Sequence, residues 1–187
     1  GYYYPSRYNA LLNDEQRAFC HSIYQFKQGD IHGIEFFKTC MNALQLKKRP
    51  YHIMFMPCSN WIKYGQRFKR LDWYIGKHRQ DLTSGLYDVD ICDARESLHE
   101  AKGGEKRILE RNYLITGNIK GKEIIIIDDV LTTGQSVADY KEEIERCGGK
   151  VVAAIFYGKT FSMPSMLLVQ IHIWGNHIAH IIERMTK

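Results

Sequence analysis

Two adjacent carboxylates, Asp128 and Asp129, follow a run of four isoleucines at residues 124–127. A short stretch rich in threonine and glycine leads from them into a segment with a helical pattern. This order predicts a buried strand, an acidic strand end, a tight turn and a helix start. Carboxylates accept hydrogen bonds from hydroxyl groups, and N–H groups at a helix start donate to phosphate. The segment therefore predicts a site for a ligand with both groups, such as a sugar phosphate.

The turn after the acid pair consists of residue types that suit an anion. Thr132 and Thr133 offer hydroxyl groups, and Gly134 permits a positive φ and the close approach of a phosphate. Ser136 is expected to cap the following helix, whose first N–H groups favour an anion. A structural alternative stays open, because an Asp pair can simply cap a helix and Thr-Thr-Gly can be an ordinary turn.

Helical periodicity and short apolar runs alternate along the chain. Helices are predicted over 15–27, 34–46, 67–75 and 136–147. Strands are predicted over 51–56, 123–127 and 151–157. This alternation is typical of an α/β fold in which helices cover both faces of a parallel sheet. Residues 76–117 show no regular pattern, and the polar, glycine-bearing stretch 101–107 is predicted to be a mobile loop.

A second polar turn follows the first predicted strand and consists of Cys58, Ser59 and Asn60. Ligands of such folds bind outside the carboxyl ends of the strands. Since this turn and residues 128–136 both follow a strand, we expect them to converge on one ligand.

The composition suits one domain with a hydrophobic core, since 44% of the 187 residues are hydrophobic and 25% are charged. No apolar run approaches the roughly 20 residues that span a bilayer. The N-terminus lacks the layout of a secretion signal, so we expect a cytoplasmic location and no membrane partner. The five cysteines form no CxxC pair, which favours reduced thiols over a zinc ribbon or a redox dithiol.

Basic and aromatic residues are concentrated in the segment Trp61–Arg79, although the net charge of the chain is only +5. The segment holds six Lys or Arg against one acidic residue, together with five aromatic residues. Such a combination can bind single-stranded DNA. Two alternatives stay open: an amphipathic helix whose aromatic residues face the core, and a surface that binds a phosphorylated small molecule.

Residues 124–136 resemble, nearly residue for residue, the phosphoribosyl pyrophosphate (PRPP) signature of type I phosphoribosyltransferases. The resemblance implies the fold of that family: a central parallel sheet flanked by helices, with a small hood and flexible-loop region. It implies that Asp128 and Asp129 hold the ribose 2′- and 3′-hydroxyls. The residues implied to bind the 5′-phosphate are Leu131, Thr132, Thr133, Gly134, Gln135 and Ser136. Cys58, Ser59 and Asn60 would occupy the place of the pyrophosphate loop.

The same resemblance implies an activity, the transfer of phosphoribosyl from Mg-PRPP to a nitrogenous acceptor with release of pyrophosphate. Mg²⁺ would enter with PRPP, so that Asp128 and Asp129 would contact the metal indirectly. Charge builds on the leaving pyrophosphate, and cations would stabilise it. The candidates for this catalytic role are in the predicted loop: Lys102, Lys106 and Arg107. Lys27 is a further candidate phosphate contact, or else a surface lysine near a helix end.

A narrower resemblance links the chain to the ComF branch, which is associated with competence and DNA uptake. It rests on residues 22–30 and on the order of Met56-Pro57, Gly65, residues 105–112 and the PRPP signature. Two features depart from that branch. The chain has no four-cysteine zinc module, and Gly65-Gln66-Arg67-Phe68 stands in place of Gly-Phe-Asn-Gln.

We therefore expect a single domain with three parts: an N-terminal helical part and hood over 1–50, a PRPP-binding core over 51–160, and a C-terminal element over 161–187. A homodimer is left open. The expected function is a phosphoribosyltransferase. The alternative is a non-catalytic protein that acts in DNA uptake or regulation by binding single-stranded DNA or a protein. A Rossmann or response-regulator domain fits less well, since GxGxxG is missing.

Overall fold

The computed structural model describes residues 2–5, 10–44, 50–92 and 111–160. The elements of these residues, in chain order, are β1 (Tyr2–Tyr3), α1 (Asp14–Lys27), α2 (His32–Ala43), β2 (Tyr51–Phe55), α3 (Trp61–His78), β3 (Leu82–Ser84), β4 (Val89–Ile91), β5 (Tyr113–Ile115), β6 (Glu123–Leu131), α4 (Gln135–Arg146) and β7 (Lys150–Thr160). None of the helices in these ranges is long and apolar enough to cross a membrane. The predicted mobile loop 101–107 and the C-terminal element 161–187 lie outside the described residues.

One parallel sheet of five strands forms the centre of the fold, in the order β1-β7-β6-β2-β3. The predicted α/β fold, a central parallel sheet flanked by helices, is confirmed. The four isoleucines of β6 are buried, as expected for a central strand that is covered on both faces. Burial of each such side chain contributes about 1.5–3 kcal/mol, so this strand anchors the carboxylates that follow it.

The helices lie on both faces of the sheet. The crossovers β2–α3–β3 and β6–α4–β7 leave the central strands in opposite directions, and right-handed connections then place α3 and α4 on opposite faces. Phe55 of β2 stacks on Phe68 of α3, with ring centroids 4.7 Å apart. Both α1 and α2 contact α3, so these three helices form one layer. This layer brings side chains of α1 and α3 close to the carboxyl ends of β2 and β6.

Residues 76–117, predicted to be irregular, contain three short strands within their described part. β3 extends the main sheet, and β4 pairs with β5 in a separate antiparallel hairpin. Each strand has three residues, which is too short to display a period of two. Arg111 Nη1 donates to Glu143 Oε2 at 2.6 Å and thereby ties the hairpin to α4.

Several predicted boundaries are wrong because local contacts outweigh the periodic pattern. α3 starts at Trp61 rather than at 67, because the Asn60 side chain accepts a hydrogen bond from the Lys63 N–H at 2.9 Å and caps the helix. α2 starts and ends two to three residues before its predicted bounds. β6 extends beyond residue 127 to Leu131, because β7 continues to pair with it.

The start of α4 differs from the sequence prediction in one respect that matters for the site. The helix begins at Gln135, and its N-cap is Gly134, which has no side chain to offer. Ser136 is therefore the second residue of the helix and not its cap. The Gln135 N–H has a side-chain acceptor, Thr133 Oγ1 at 3.4 Å, but Gly134 offers none to the N–H groups that follow it. Those groups stay available to an anion.

Candidate functional site

The acid pair lies where β6 extends past its neighbour β2. Pairing between the two strands ends at Phe55 and Ile127, and the Met56 N–H donates to the Ile127 carbonyl at 2.9 Å. On its other side, β6 pairs with β7 from Glu123 onward, and this pairing continues past Asp128 to Leu131. The edge of β6 on the side of β2 is thereby open at the carboxyl end of the sheet, which is where ligands bind in folds of this kind.

The two carboxylates converge even though they are neighbours in a strand. The Asp129 N–H donates to Asp128 Oδ1 at 2.8 Å, and the Val130 N–H donates to Asp129 Oδ1 at 2.7 Å. Each side chain is therefore folded back toward the backbone. A single cation reaches both, since Arg67 Nη1 is 3.6 Å from Asp128 Oδ1 and 3.2 Å from Asp129 Oδ2. Neighbouring carboxylates in one strand can thus serve one ligand.

Burial and mutual repulsion govern the electrostatics of the acid pair. Burial is the larger cause that raises the pKa of Asp128 well above its ordinary range, and the charge of Asp129 is the next. The guanidinium of Arg67 opposes this shift and is outweighed. Lys27 adds a second cation, with its Nζ 3.3 Å from Asp129 Oδ2. Lys27, predicted to be either a phosphate contact or a surface lysine, contacts a carboxylate in the structure.

The turn between β6 and α4 passes through a left-handed residue, Gly134. Gly134 has φ +86°, and a Cβ there would meet only Leu131 Cδ1, at 3.9 Å. Glycine is therefore required for its backbone conformation and not for lack of space. The Gln135 N–H is 3.4 Å from Thr133 Oγ1, and the Gln135 side chain donates to Asp139 Oδ1 at 2.7 Å. The side chain and the N–H of Gln135 are thus both engaged within this segment. The next N–H groups of α4, those of Ser136 and Val137, are the ones that can donate to an anion.

A small cavity joins Asp128 of the acid pair to the turn. The residues that line it are Met56, Asp128, Val130, Leu131, Thr132, Gly134, Ser136, Val137 and Phe156. Five of these were singled out in the sequence as site residues. Val130 lies within the signature over 124–136, and Met56 belongs to the pair Met56-Pro57 that follows β2, but neither was assigned a role. Val137 and Phe156 were not singled out, because they are ordinary apolar residues of α4 and β7. Only the pairing of the strands brings them to the cavity, and no local pattern marks them.

The predicted pyrophosphate loop lies between β2 and α3, at the carboxyl end of the strand next to β6. Its side chains are largely occupied. Asn60 caps α3, and Ser59 Oγ lies 3.4 Å from Lys63 Nζ. Cys58 is buried, which raises the pKa of its thiol to about 11, and its carbonyl accepts a hydrogen bond from Asn112 Nδ2 at 2.7 Å. Asn112 thus connects the hairpin to this loop.

Three predicted catalytic cations, Lys102, Lys106 and Arg107, lie outside the described residues. Within the described ranges, no group of three or more His, Cys, Asp or Glu side chains could hold a metal ion. Asp128 and Asp129 alone form a pair that already faces two cations. These residues fit a magnesium ion that is held by the phosphates of a ligand, and they do not form a metal-binding cage of their own. All five cysteines are free, in agreement with the expected reduced thiols.

The basic and aromatic segment forms α3, and its aromatic residues divide between two faces. Tyr64 and Phe68 are fully buried, so the amphipathic-helix interpretation is right for them. Trp61 and Trp73 are 41% and 57% exposed, so that interpretation is wrong for the two tryptophans. Arg67 lies on the inner side and contacts the acid pair, a role that the sequence did not reveal. Its only signal is its place in the helix that follows β2.

Comparison with known proteins agrees with this geometry. Residues 80–160 match the family model described as the phosphoribosyl transferase domain. An orotate phosphoribosyltransferase from Sulfolobus acidocaldarius is 42% identical over 57 residues, which are 30% of this chain and 26% of that protein. The transcriptional regulator GfcR from Methanocella arvoryzae is 30% identical over 98 residues, which are 52% of this chain and 38% of that protein.

A further relative, the transcriptional regulator GfcR 1 of Methanosarcina barkeri, is 30% identical over 63 residues, which are 34% of this chain and 29% of that protein. The chain thus spans between about a quarter and two fifths of the length of these relatives. The matched family model covers β3, the hairpin, β6, α4 and β7, and so includes the acid pair and the turn between β6 and α4.

Proposed function

We propose that this chain, which carries a type I phosphoribosyltransferase domain, binds PRPP with Mg²⁺ and transfers its phosphoribosyl group to a nitrogenous acceptor. One observation carries the proposal. The carboxylate of Asp128 and the N-terminal residues of α4 line the same cavity, at the open carboxyl end of β6. A ribose 5-phosphate group has hydroxyls that can donate to the Asp128 carboxylate and a phosphate that can accept from the N–H groups at the start of α4.

The proposed reaction is a displacement at ribose C1. A nitrogen of the acceptor forms the new bond to C1, and the bond from C1 to the diphosphate oxygen breaks. Pyrophosphate leaves with the electron pair, and the acceptor nitrogen loses its proton. The sugar is positioned by Asp128 and Asp129 through its 2′- and 3′-hydroxyls. The 5′-phosphate is held by the turn over 131–136, so that C1 points toward the loop of Cys58, Ser59 and Asn60.

When bound with PRPP, Mg²⁺ would neutralise charge on the leaving pyrophosphate. The chain itself would contribute backbone N–H groups near the start of α3 and cations nearby. Lys102, Lys106 and Arg107 remain predicted contacts of the pyrophosphate. The described hairpin that flanks their segment supports this assignment, because Asn112 binds the Cys58 carbonyl of the adjacent loop.

A melting experiment tests the proposed ligand. PRPP with Mg²⁺ is expected to raise the melting temperature, because a ligand that binds the folded state stabilises it by about 2.7 kcal/mol at one hundred times its Kd. The double variant Asp128→Asn with Asp129→Asn should fold and lose most of this shift. Lys150→Gln is the matched control, since Lys150 is an exposed residue at the other end of the sheet. An equal shift in the double variant would refute the assigned roles.

A second candidate function is that of a non-catalytic regulator that binds nucleic acid. Two of the three relatives named above are transcriptional regulators. The outer face of α3 also favours this function, because Trp61 and Trp73 are exposed and Lys69 and Arg70 lie between them. Aromatic rings can stack on bases, and neighbouring cations can contact phosphates. A ComF-like role in competence stays a prediction within this candidate.

The second candidate has its own test. Anisotropy of a labelled single-stranded oligonucleotide should rise on binding, and the affinity should fall steeply as salt increases. Trp73→Ala with Lys69→Gln should weaken binding, by about 1–3 kcal/mol for the lost stacking alone. The control is Lys150→Gln. Absence of binding at low salt would exclude this candidate, while release of pyrophosphate from PRPP would favour the first. Size measurement in the same samples tests the homodimer.

A further inference from the structure

Two cations from different helices contact the acid pair. Lys27 is the last residue of α1, and its Nζ is 3.3 Å from Asp129 Oδ2. Arg67 belongs to α3, and its Nη1 is 3.2 Å from the same oxygen. The side chains of Arg67 and Asp129 are only 17% and 9% exposed, so solvent screens this cluster weakly. The acid pair is thus in contact with cations of the protein itself.

The cations of this cluster are in ionic contact with the acid pair, but two of its polar atoms make no hydrogen bond. Among the described residues, Asp129 Oδ2 and Arg67 Nε are buried without a hydrogen-bond partner. The ion contacts at Asp129 Oδ2 lie within ionic distance but lack hydrogen-bond geometry. A buried polar group without a hydrogen bond costs about 1–3 kcal/mol. The cluster therefore retains an acceptor and a donor that a ligand could satisfy.

The helices that carry the two cations are fixed to each other beside the cluster. Gln66 Nε2 donates to Gln28 Oε1 at 2.5 Å, and these residues adjoin Arg67 and Lys27. Gly29 has φ +76°, and a Cβ there would lie 2.1 Å from the Gln66 carbonyl oxygen. The backbones of α1 and α3 are therefore in close contact. The cations can change partner by moving their side chains while their helices stay in place.

We propose that Lys27 and Arg67 determine specificity for PRPP over ribose 5-phosphate by changing partners when the ligand binds. This inference rests on the proposed function. The ribose hydroxyls would take over the carboxylates, and both cations would then pair with the diphosphate on C1. Ribose 5-phosphate has no diphosphate, so it breaks the same ion contacts and offers the cations nothing in return. The two cations thus weaken the binding of ribose 5-phosphate and strengthen the binding of PRPP.

The electrostatics support this exchange. A diphosphate brings several negative charges close to Asp128 and Asp129, and like charges a few ångströms apart repel strongly in a buried site. Cations placed next to the acid pair compensate both groups. Arg67 suits this role, because its planar guanidinium presents several donors in a fixed geometry that matches phosphate oxygens.

The test is to titrate ribose 5-phosphate and Mg-PRPP separately into the full chain and its variants by calorimetry. Arg67→Gln is expected to weaken PRPP binding roughly tenfold or more, as loss of a charge-assisted hydrogen bond implies. The same variant should bind ribose 5-phosphate as well as the wild type or more tightly. Lys27→Gln should show the same pattern to a smaller extent, because Lys27 is more exposed. Lys150→Gln, at an exposed residue at the amino end of the sheet, is the control.

A change in affinity that differs between PRPP and ribose 5-phosphate shows that Arg67 determines specificity, whereas an equal change for both ligands shows that it only supports the structure. If Arg67→Gln weakens both ligands equally, or leaves both unchanged, the inference is refuted. Arg67→Lys keeps the charge and should restore part of the PRPP affinity, which also guards against a folding defect in the glutamine variant. If the wild type binds neither ligand, the proposed function fails. If the wild type binds PRPP but the variants do not lose affinity for PRPP selectively over ribose 5-phosphate, only this inference fails.

Discussion

Replacement of Gly134 by alanine should separate the cost to the fold from the cost to the ligand site. Gly134 has φ +86° in the turn before α4, and the left-handed region costs a residue with a Cβ about 1–2 kcal/mol. The space around it is open, since the nearest atom to an added Cβ is Leu131 Cδ1 at 3.9 Å. The substitution therefore adds no steric clash to the free-energy cost of the left-handed backbone. For a chain of 187 residues, each 1 kcal/mol lowers the melting temperature by about 2–4 °C.

Gly121 provides a matched control for that substitution. It has φ +75°, and nothing lies within 4 Å of an added Cβ. It precedes β6 at the amino end of the sheet, away from the acid pair. Gly121→Ala should therefore cost a similar free energy of unfolding in urea denaturation. The two variants should form a pair with equal stability and different ligand binding.

Ligand binding should respond only at Gly134. Alanine favours a negative φ, which would turn the N–H groups of the turn away from a bound phosphate. Loss of one charge-assisted hydrogen bond corresponds to about 1.5–3 kcal/mol, or roughly ten- to one-hundredfold in Kd for PRPP measured by calorimetry. Gly121→Ala should leave this Kd unchanged. Equal Kd values for the two variants would refute the assignment of the turn to the phosphate.

Three further predictions concern stability. The pKa of Asp128 is raised to about 8 in the folded state, whereas the same group in the unfolded chain releases its proton near pH 4. Between these pH values the folded protein holds one proton more than the unfolded chain. The free energy of unfolding should therefore fall as pH rises from about 4 to about 8 and then level off. Asp128→Asn should flatten this fall in urea denaturation at several pH values, and an unchanged slope would contradict the raised pKa. Gly29→Ala should destabilise the fold by about 2–5 kcal/mol, because the left-handed backbone cost adds to a clash with the Gln66 carbonyl, and a loss below 1 kcal/mol would contradict it. Asn112→Ala should cost about 1–3 kcal/mol in denaturation by leaving the Cys58 carbonyl without its donor, whereas no loss would show that this bond is dispensable.

The strongest local patterns predicted the fold and the centre of the site. The isoleucine run before Asp128 identified β6, because a short run of β-branched apolar residues is typical of a strand covered on both faces. Gly134 identified the turn, because its residue type matches the left-handed backbone that the structure adopts. Both signals come from constraints within a few neighbouring residues, and such constraints can be read without knowledge of distant contacts.

The remaining features depend on contacts between residues far apart in sequence. Arg67 belongs to the basic and aromatic segment Trp61–Arg79, and its sequence neighbours do not indicate a contact with the acid pair. Only the packing of α3 beside β6 brings it to the carboxylates. Phe156 reaches the cavity only because β7 pairs with β6. The short strands of the hairpin have too few residues for a pattern and are fixed by each other. Tertiary pairing determines these features, so a single sequence does not reveal them.

Determination of a crystal structure with PRPP and Mg²⁺ bound to the full chain tests the central claim most directly. The 5′-phosphate should lie within hydrogen-bonding distance, about 3 Å, of backbone nitrogens in the turn over 132–136. The ribose hydroxyls should contact Asp128 and Asp129. Density for the ligand elsewhere, for example along the outer face of α3, or an empty turn at saturating PRPP, would contradict the claim.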